Sequence, residues 1–584
     1  MKLLLTAVNA KYIHSNPAIY CLQSYAASYK DNIELAEFTI NQNLDDILRS
    51  IYDKKPDVLA LSCYIWNMGM VERIIREYKK LDCNCSIWVG GPEVSYDAVA
   101  CLKRIPELDG VMIGEGEATF LELSKAYVEC KKEQIDFSKI DGIAYRDFEG
   151  TICVSGIREP LDFSKLPFMY QFAMDLSAFE NRIVYYETSR GCPFSCSYCL
   201  SSIDKRVRFR NLELVFQELQ LFLDKEVPQV KFIDRTFNCN KSHSMAIWKY
   251  IKEHDNQKTN FHFEIAADLL GEEELEFLAT LRPGLIQLEI GVQSTNPETI
   301  KAIHRHMDLK KVSYNVWRVK KARNIHQHLD LIAGLPYEDY ETFQRSFDQV
   351  YAMQPDQLQL GFLKVLKGSL MEELSQEYSI VYHGEPPYEV LYTKWLSYSD
   401  ICRLKDVEEM VEVYYNSGQF QYTIRYMASF WDSAFSFYEA LANYYRQFDL
   451  FGFHQARIKR YTILRDFAMF SGYKEEQLKL LEELMTLDLY LREKLKARPV
   501  FASTSEANKS LYKQFLTNHA KEYGIGDCVH IEHFTYDVFA AANDGQQCQK
   551  DFYILFDYSK PKSIFDECAM ILLQENNGSL VILD

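Results

Sequence analysis

No run of about twenty apolar residues occurs in this 584-residue chain, so nothing in it suits the span of a bilayer's hydrocarbon core. The opening Met1–Val8 looks superficially like a secretory leader, but Asn9, Lys11 and His14 interrupt it at once. A buried first strand is the better expectation. Positive charge is in short supply: 65 Lys and Arg against 83 Asp and Glu leave a formal net charge of −18. A broad nucleic-acid surface needs clustered cations, so that class is disfavoured. The one local basic stretch, Lys205-Arg-Val-Arg208-Phe-Arg210, is better read as neutralising nearby acids or bound anions. No Gly-x-Gly-x-x-Gly follows the first strand, which argues against a Rossmann dinucleotide site. Fifteen cysteines in a chain expected to be cytoplasmic are better explained by reduced thiols and a metal site than by disulfides.

What is present fits several α/β cores. The length allows three or four domains, and 47% hydrophobic residues is ordinary for a globular protein. In residues 1–150, strand-like runs at Lys2–Val8, Ile33–Phe38, Val58–Ser62, Ser86–Val89 and Gly110–Ile113 alternate with helical stretches such as Val71–Leu81. That alternation predicts a doubly wound parallel sheet with its ligand beyond the carboxyl ends of the strands. Asn9–Pro17, the loop after Ser62, Gly90-Gly91-Pro92-Glu93 and Gly114-Glu115-Gly116-Glu117 fall at those ends, and paired glycines let backbone approach a large ligand closely. A linker with Pro160 and Pro167 spans 151–180. Six further strands are expected in 181–375, near Ile183–Thr188, Gln229–Asp234, Phe261–Ala266, Leu285–Val292, His328–Ile332 and Gln357–Phe362. They predict a partial (β/α)6, TIM-like barrel with its chemistry at the strands' carboxyl ends. Residues 376–584 read as mostly helical, aromatic-rich over Asp400–Phe448 and leucine-striped over Tyr473–Leu495. A small α+β end follows, with strands at Val529–Val538 and Asp551–Leu555.

The most informative feature lies in Glu187-Thr-Ser-Arg-Gly-Cys-Pro-Phe-Ser-Cys-Ser-Tyr-Cys-Leu200: Cys192, Cys196 and Cys199 form Cys-x3-Cys-x2-Cys. Three thiolates on one loop suit three corners of an iron–sulfur cube and leave the fourth iron open. Zinc is the rival, although no Cys or His follows at zinc-finger spacing. Three inert buried thiols are the bland alternative.

This loop resembles the signature of the radical SAM enzymes. Together with the glycine-rich strand ends of the first domain, the chain resembles the cobalamin-binding branch of that family over residues 1–375. The resemblance implies a 4Fe-4S cluster on the three cysteines and S-adenosylmethionine on its open iron, cleaved to a 5′-deoxyadenosyl radical. It further implies cobalamin between the first two domains, an electron donor such as flavodoxin or ferredoxin, and methyl transfer to an unactivated carbon of a small molecule or peptide. Rearrangement or other non-methylating chemistry, and a cofactor carrier without catalysis, are the alternatives. Tyr198 is the aromatic that commonly precedes the last cysteine. By the same resemblance Asp234 closes the strand that meets the SAM amino group, and Glu264 and Glu289 lie on the next two strands. Gln293 is a candidate ribose contact, and Arg305 suits the SAM carboxylate, a task for a planar guanidinium. Asn9, Tyr12, His14, Ser62, Gly90, Gly91, Pro92, Gly114, Glu115, Gly116 and Glu117 are the corrin-side candidates. The Asp-x-His-x-x-Gly motif that supplies a cobalt ligand in many cobalamin proteins is missing. His14 is therefore either a substitute ligand or part of a loop lining the corrin or substrate, while Ser15 or Asn16 caps a helix starting near Pro17. The resemblance also implies that the C-terminal tail covers the barrel mouth.

Overall fold

The structure is a computed structural model that describes the chain except for residues 175, 177–178, 453–454, 503–507, 546, 565 and 584. The first domain is a seven-stranded sheet of order β2-β1-β3-β4-β5-β6-β7, with β1 Leu3–Asn9, β2 Ile33–Thr39, β3 Val58–Ser62, β4 Ser86–Gly90, β5 Gly110–Met112, β6 Ile143–Arg146 and β7 Ile152–Val154. β1, β3 and β4 are buried along their whole length, as strands covered by helices on both faces must be. Helix Met68–Leu81 buries Val71, Ile74, Ile75 and Tyr78, the spacing of a single apolar stripe. The parallel, doubly wound reading holds for β1 to β5. It needs one correction: β6 and β7 extend the edge antiparallel and carry the sheet to Val154.

The second domain is an open, parallel six-stranded sheet of order β15-β14-β13-β12-β11-β8. Its strands are β8 Val184–Tyr186, β11 Gln229–Phe232, β12 Asn260–Ile265, β13 Ile286–Gln293, β14 His326–Ala333 and β15 Gln357–Phe362, each where the sequence places one. A two-stranded ribbon, β9 Ser189–Arg190 and β10 Arg208–Phe209, frames the cysteine loop. An open half-barrel leaves two unpaired strand edges, and unpaired edges invite aggregation. At β8, residues of the β1–helix loop pair alongside: Ile183 N donates to Ile13 O and Ser15 Oγ donates to Ile183 O. At β15 the Asn416 side chain does the same work. Its Nδ2 donates to Leu358 O and its Oδ1 accepts from Leu358 N, both at 2.9 Å.

The C-terminal region follows the short ribbon of β16 Val381–Tyr382 and β17 Val390–Tyr392. Its helices Tyr398–Val411, Gln421–Ala428, Ala434–Gln447, Arg457–Phe470 and Glu475–Arg492 pack on an aromatic core that includes Tyr414, Phe420, Phe435, Tyr438, Tyr461 and Phe467, each at most 1% exposed. Burial of each such ring contributes about 1.5–3 kcal/mol. The α+β end is a four-stranded antiparallel sheet of β18 Val529–Tyr536, β19 Gln549–Asp557, β20 Ala569–Asn576 and β21 Ser579–Ile582. The last two strands have no counterpart in the sequence reading. Among the described residues no helix is long and apolar enough to cross a membrane.

Candidate functional site

The cysteine loop sits over the carboxyl ends of the half-barrel because backbone bonds pin it on three sides. Cys192 N donates to Asp204 O, Ser197 N to Ile303 O, and Met371 N to Ser197 O. Ser202 Oγ closes the turn by donating to the carbonyls of Cys196 and Cys199. Gly191 is required at its entry: its φ is +92°, and an added Cβ would lie 2.4 Å from Arg206 O. Cys192 and Cys196 are buried and Cys199 is half-buried. The three sulfurs do not all lie within 4.8 Å of one another, as the ligands of one zinc ion would at Zn–S bonds of about 2.3 Å.

The loop roofs a cavity of about 210 Å³. Tyr198 and Arg305 from above meet Glu264, Glu289, Gly291, Gln293 and Asp330 on strands β12 to β14. Arg305 Nη1 lies 3.7 Å from Cys196 Sγ and 3.3 Å from Tyr198 Oη, and its Nη2 donates to Gly291 O. Burial pushes the Cys196 thiol up, and the Arg305 charge pulls it back towards the thiolate that a cluster requires. Gln293 follows a register shift in β13 and has φ +73°, a strained conformation of the kind found at ligand clamps. Gln293 Oε1 and Arg305 Nε are buried without protein hydrogen-bond partners, polar atoms aimed where a polar co-substrate would satisfy them.

Asp234 stands apart from this set. It is 1% exposed and accepts from Thr188 N, Thr188 Oγ1 and Ser189 Oγ at 2.6–3.0 Å. Its carboxylate therefore locks the end of β8, beneath the cysteine loop, rather than lining the cavity. The sequence reading also misses the barrel lumen, where branched aliphatics usually pack. Here Lys231 Nζ lies 2.8 Å and His262 Nε2 3.0 Å from Glu289 Oε2, and His328 Nε2 lies 2.9 Å from Asp330 Oδ1. Burial alone would raise the Glu289 carboxyl, but His262 and Lys231 hold it well below the usual range. Glu264 is pushed up to about 7 by burial and then by the Glu289 charge. Alternation hides such residues, since a polar position in a strand reads as solvent-facing.

On the first domain, the switch point of the strand order lies between β1 and β3, the place where open α/β sheets bind ligands. Asn67 ties it together, donating to Val8 O and Ser62 O and accepting from Tyr64 N. Asn16 caps its helix by accepting from Ile19 N, and its Nδ2 donates to Ser62 Oγ. Asn9 donates to Glu37 and to His14 O. Gly91 has φ +120° because its backbone presses on Cys63: an added Cβ would sit 2.4 Å from Cys63 O. It carries the turn from Gly90 into the helical turn at Pro92. Gly114, at φ +73°, instead faces open space, and a Cβ at Gly116 would meet only the Leu22 side chain. Tyr12 is exposed, and Trp66 stacks on Tyr64 with centroids 4.4 Å apart, an apolar platform suited to a large planar ring.

His14, the one histidine of the first 150 residues, has Nδ1 2.7 Å from Tyr185 Oη. Burial, then the charge of Lys11, holds it below its ordinary value, favouring the neutral imidazole. Glu115 and Glu117 are turned into the seam between domains: Glu115 accepts from Arg208 and from Leu161 N, and Glu117 accepts from Arg190. Arg208 and the buried Arg210–Glu218 pair show the basic stretch neutralising acids. Cys528 and Cys548 are exposed and Cys568 is buried against Tyr490 O. No residue of 376–584 lines the cluster cavity among the described residues. The tail does reach the carboxyl ends of the strands, where Tyr388 Oη donates to Glu93 and Val390 N donates to Leu363 O, and its helices flank β15.

A three-thiol loop at the mouth of an open parallel half-barrel, preceded by a doubly wound domain with its switch point facing that mouth, defines a class of two-cofactor barrel proteins. Residues 3–124 match the B12 binding domain, residues 186–350 the radical SAM superfamily, and residues 376–556 a protein family of unknown function, DUF4080. It is 27% identical over 323 residues to 2-(S-pantetheinyl)-carbapenam-3-carboxylate methyltransferase of Streptantibioticus cattleyicolor, covering 50% of this chain and 44% of that protein. It is 21% identical over 343 residues to the anaerobic magnesium-protoporphyrin IX monomethyl ester cyclase of Rubrivivax gelatinosus, covering 57% and 60%. The chain thus spans less than two thirds of these relatives' length. In fold it is similar to OxsB with aqua-cobalamin and S-adenosylmethionine bound, with a TM-score of 0.55, 15% identity, and 90% of this chain and 76% of that one covered. It is also similar to TsrM from Kitasatospora setae with cobalamin and a [4Fe-4S] cluster bound, with a TM-score of 0.52, 18% identity, and 66% and 76% covered.

Proposed function

We propose that this protein is a cytoplasmic, cobalamin-dependent radical SAM enzyme that methylates an unactivated carbon of a small molecule or peptide, with flavodoxin or ferredoxin as electron donor. The observation that carries the reading is the pinned three-cysteine loop, with Arg305 against Cys196 over a polar cavity that Gln293 also lines. Cys192, Cys196 and Cys199 would hold the 4Fe-4S cluster, while Asn9, Tyr12, Ser62 and Gly114 at the switch point would border cobalamin. When bound, these groups supply the electron that cleaves S-adenosylmethionine and the carrier that passes on the methyl group. The protein's own part is positional. Arg305 offers its planar fork to the SAM carboxylate. Gln293 offers Oε1 to the ribose, and Glu289, held ionised by Lys231 and His262, gives the lumen a fixed negative charge beneath it. Asp234 keeps the cysteine loop's entry strand in register. Holding the reacting groups in one geometry and out of water is worth several kcal/mol of barrel chemistry, about 7–11 in favourable cases.

The test is anaerobic reconstitution with iron, sulfide and cobalamin, followed by SAM and a reductant in the presence of candidate substrates. 5′-Deoxyadenosine that disappears in Cys196→Ala, with S-adenosylhomocysteine formed only when cobalamin is present, supports the reading. Deoxyadenosine without cobalamin-dependent homocysteine product overturns methyl transfer and leaves non-methylating radical chemistry. Neither product, across substrates, points to the carrier alternative.

A further inference from the structure

The C-terminal domain, which leaves the cluster cavity untouched, encloses a larger cavity of its own. It measures about 450 Å³ and lies at the amino ends of β14 and β15, between the barrel and the helix Gln421–Ala428. That is the face opposite the chemistry, and its size falls within the range of about 300–1,000 Å³ typical of small-molecule sites. In a chain with a net charge of −18, its lining is cationic. Lys320, Lys321 and Arg323 come from the end of helix Leu309–Ala322, and Arg425 comes from the C-terminal domain. Two acids, Asp356 and Glu567, also line it. Asp356 is engaged with Lys320 at 3.5 Å and Glu567 with Arg492 at 3.7 Å. Among the described residues neither Arg323 nor Arg425 forms an ion pair or hydrogen bond with a carboxylate. Arg323 is presented by a left-handed backbone, φ +53°, at the helix C-terminus.

The remaining wall is aromatic. Tyr422 meets Phe539 with centroids 5.8 Å apart. Arg425 also borders an adjoining cavity of about 270 Å³, lined by Trp431, Ser429 and Asn543. Two unpaired guanidiniums beside rings match a ligand with an anionic group on a flat body, because guanidinium forks take phosphate oxygens in pairs and rings stack on ring faces.

We propose that this cavity is a second ligand site, built jointly by the barrel and the C-terminal domain, which takes a nucleoside phosphate. The phosphate lies on Arg323 and Arg425 and the base against Tyr422 and Phe539. The site stands independently of the cluster chemistry, and the full-length protein tests it directly. Fluorescent mant-ATP is titrated into wild type, Arg323→Ala, Arg425→Ala and Cys196→Ala, and competed with ATP, pyrophosphate and adenosine. The expected result is saturable binding that weakens at least about tenfold in each arginine variant, survives in Cys196→Ala, and is displaced by ATP better than by pyrophosphate or adenosine alone. Arg425 and Arg323 are exposed, so their removal leaves the fold intact, and unchanged SAM binding verifies this. No saturable binding at about 1 mM probe, binding indifferent to both arginines, or binding lost in Cys196→Ala overturns the proposal. Displacement by pyrophosphate as strong as by ATP overturns the nucleoside part and leaves an anion site.

Discussion

Arg182 and Glu37 join the first domain to the barrel through a buried ion pair, Nη2 to Oε2 at 2.7 Å with side chains 9% and 12% exposed. Glu37 also accepts from Tyr20 Oη, Asn9 Nδ2 and Asn16 N, so one carboxylate organises both the domain seam and the loop that carries His14. Removing one partner of a buried pair costs about 3–5 kcal/mol because the other charge is stranded. Glu37→Ala is expected to lower stability by that order, read as an earlier denaturant midpoint with unchanged slope. Glu37→Gln, which keeps the hydrogen bonds from Asn9 and Asn16, is expected to lose less.

Cys196→Ala removes the thiol at the centre of the loop and leaves Arg305 facing a void. Reconstituted variant protein is expected to hold background iron and sulfide, while circular dichroism stays that of wild type. Retained iron at wild-type stoichiometry would show that the loop is not the cluster's holder.

Arg305→Lys keeps the charge and loses the fork. A hydrogen bond to a charged group is worth about 1.5–3 kcal/mol, so the SAM dissociation constant, measured by equilibrium dialysis on reconstituted protein, is expected to rise about tenfold to a hundredfold. Binding as tight as wild type would remove Arg305 from the SAM site.

Glu338 gives the fold an unusual pH response. Its carboxyl is fully buried, and although Ser294 and Ser346 donate to Oε1, burial pushes it up to about 7 from an ordinary 4.5. A group that binds its proton more tightly when folded weakens the fold as pH rises from about 4.5 towards 7. At about 1.4 kcal/mol per unit the loss is roughly 3 kcal/mol. Glu338→Gln is expected to lack this loss. The stability difference between variant and wild type should therefore shift in the variant's favour between about pH 5 and pH 8 in parallel urea titrations. A difference that stays constant with pH would place Glu338's proton elsewhere.

Asn416→Ala strips β15 of the two bonds that cover its edge. A loss of about 1–3 kcal/mol is expected, accompanied by faster aggregation on heating, measured by light scattering against thermal unfolding.

Much of this architecture is legible in the residues alone. All six barrel strands fall where apolar runs alternate with amphipathic helices, because a parallel sheet buries both strand faces. β6 and β7 escape that pattern: they are three or four residues long and pair antiparallel at an edge. β20 and β21 escape it because all but two of their twelve positions are exposed or half-buried, including Gln574, Glu575 and Asn576. At the site, the cysteines, Tyr198, Gln293 and Arg305 announce themselves by spacing and resemblance. Glu115 and Glu117 carry a different message, since whether a carboxylate faces a crevice or an arginine across a seam depends on residues 93 and 73 positions away. Lys231, His262 and His328 stay hidden because a strand's inward face is read as apolar, and here it is charged.

The half-barrel's two edges are covered by segments made at different times. Residues 13–15, which line β8, have left the ribosome before β8 is synthesised, so that edge has a partner waiting. β15 must wait for Asn416 and the helices beyond it, so the nascent chain passes through an interval in which a strand of the half-barrel is complete but bare. A chain truncated before Asn416 is therefore expected to present the β15 edge bare.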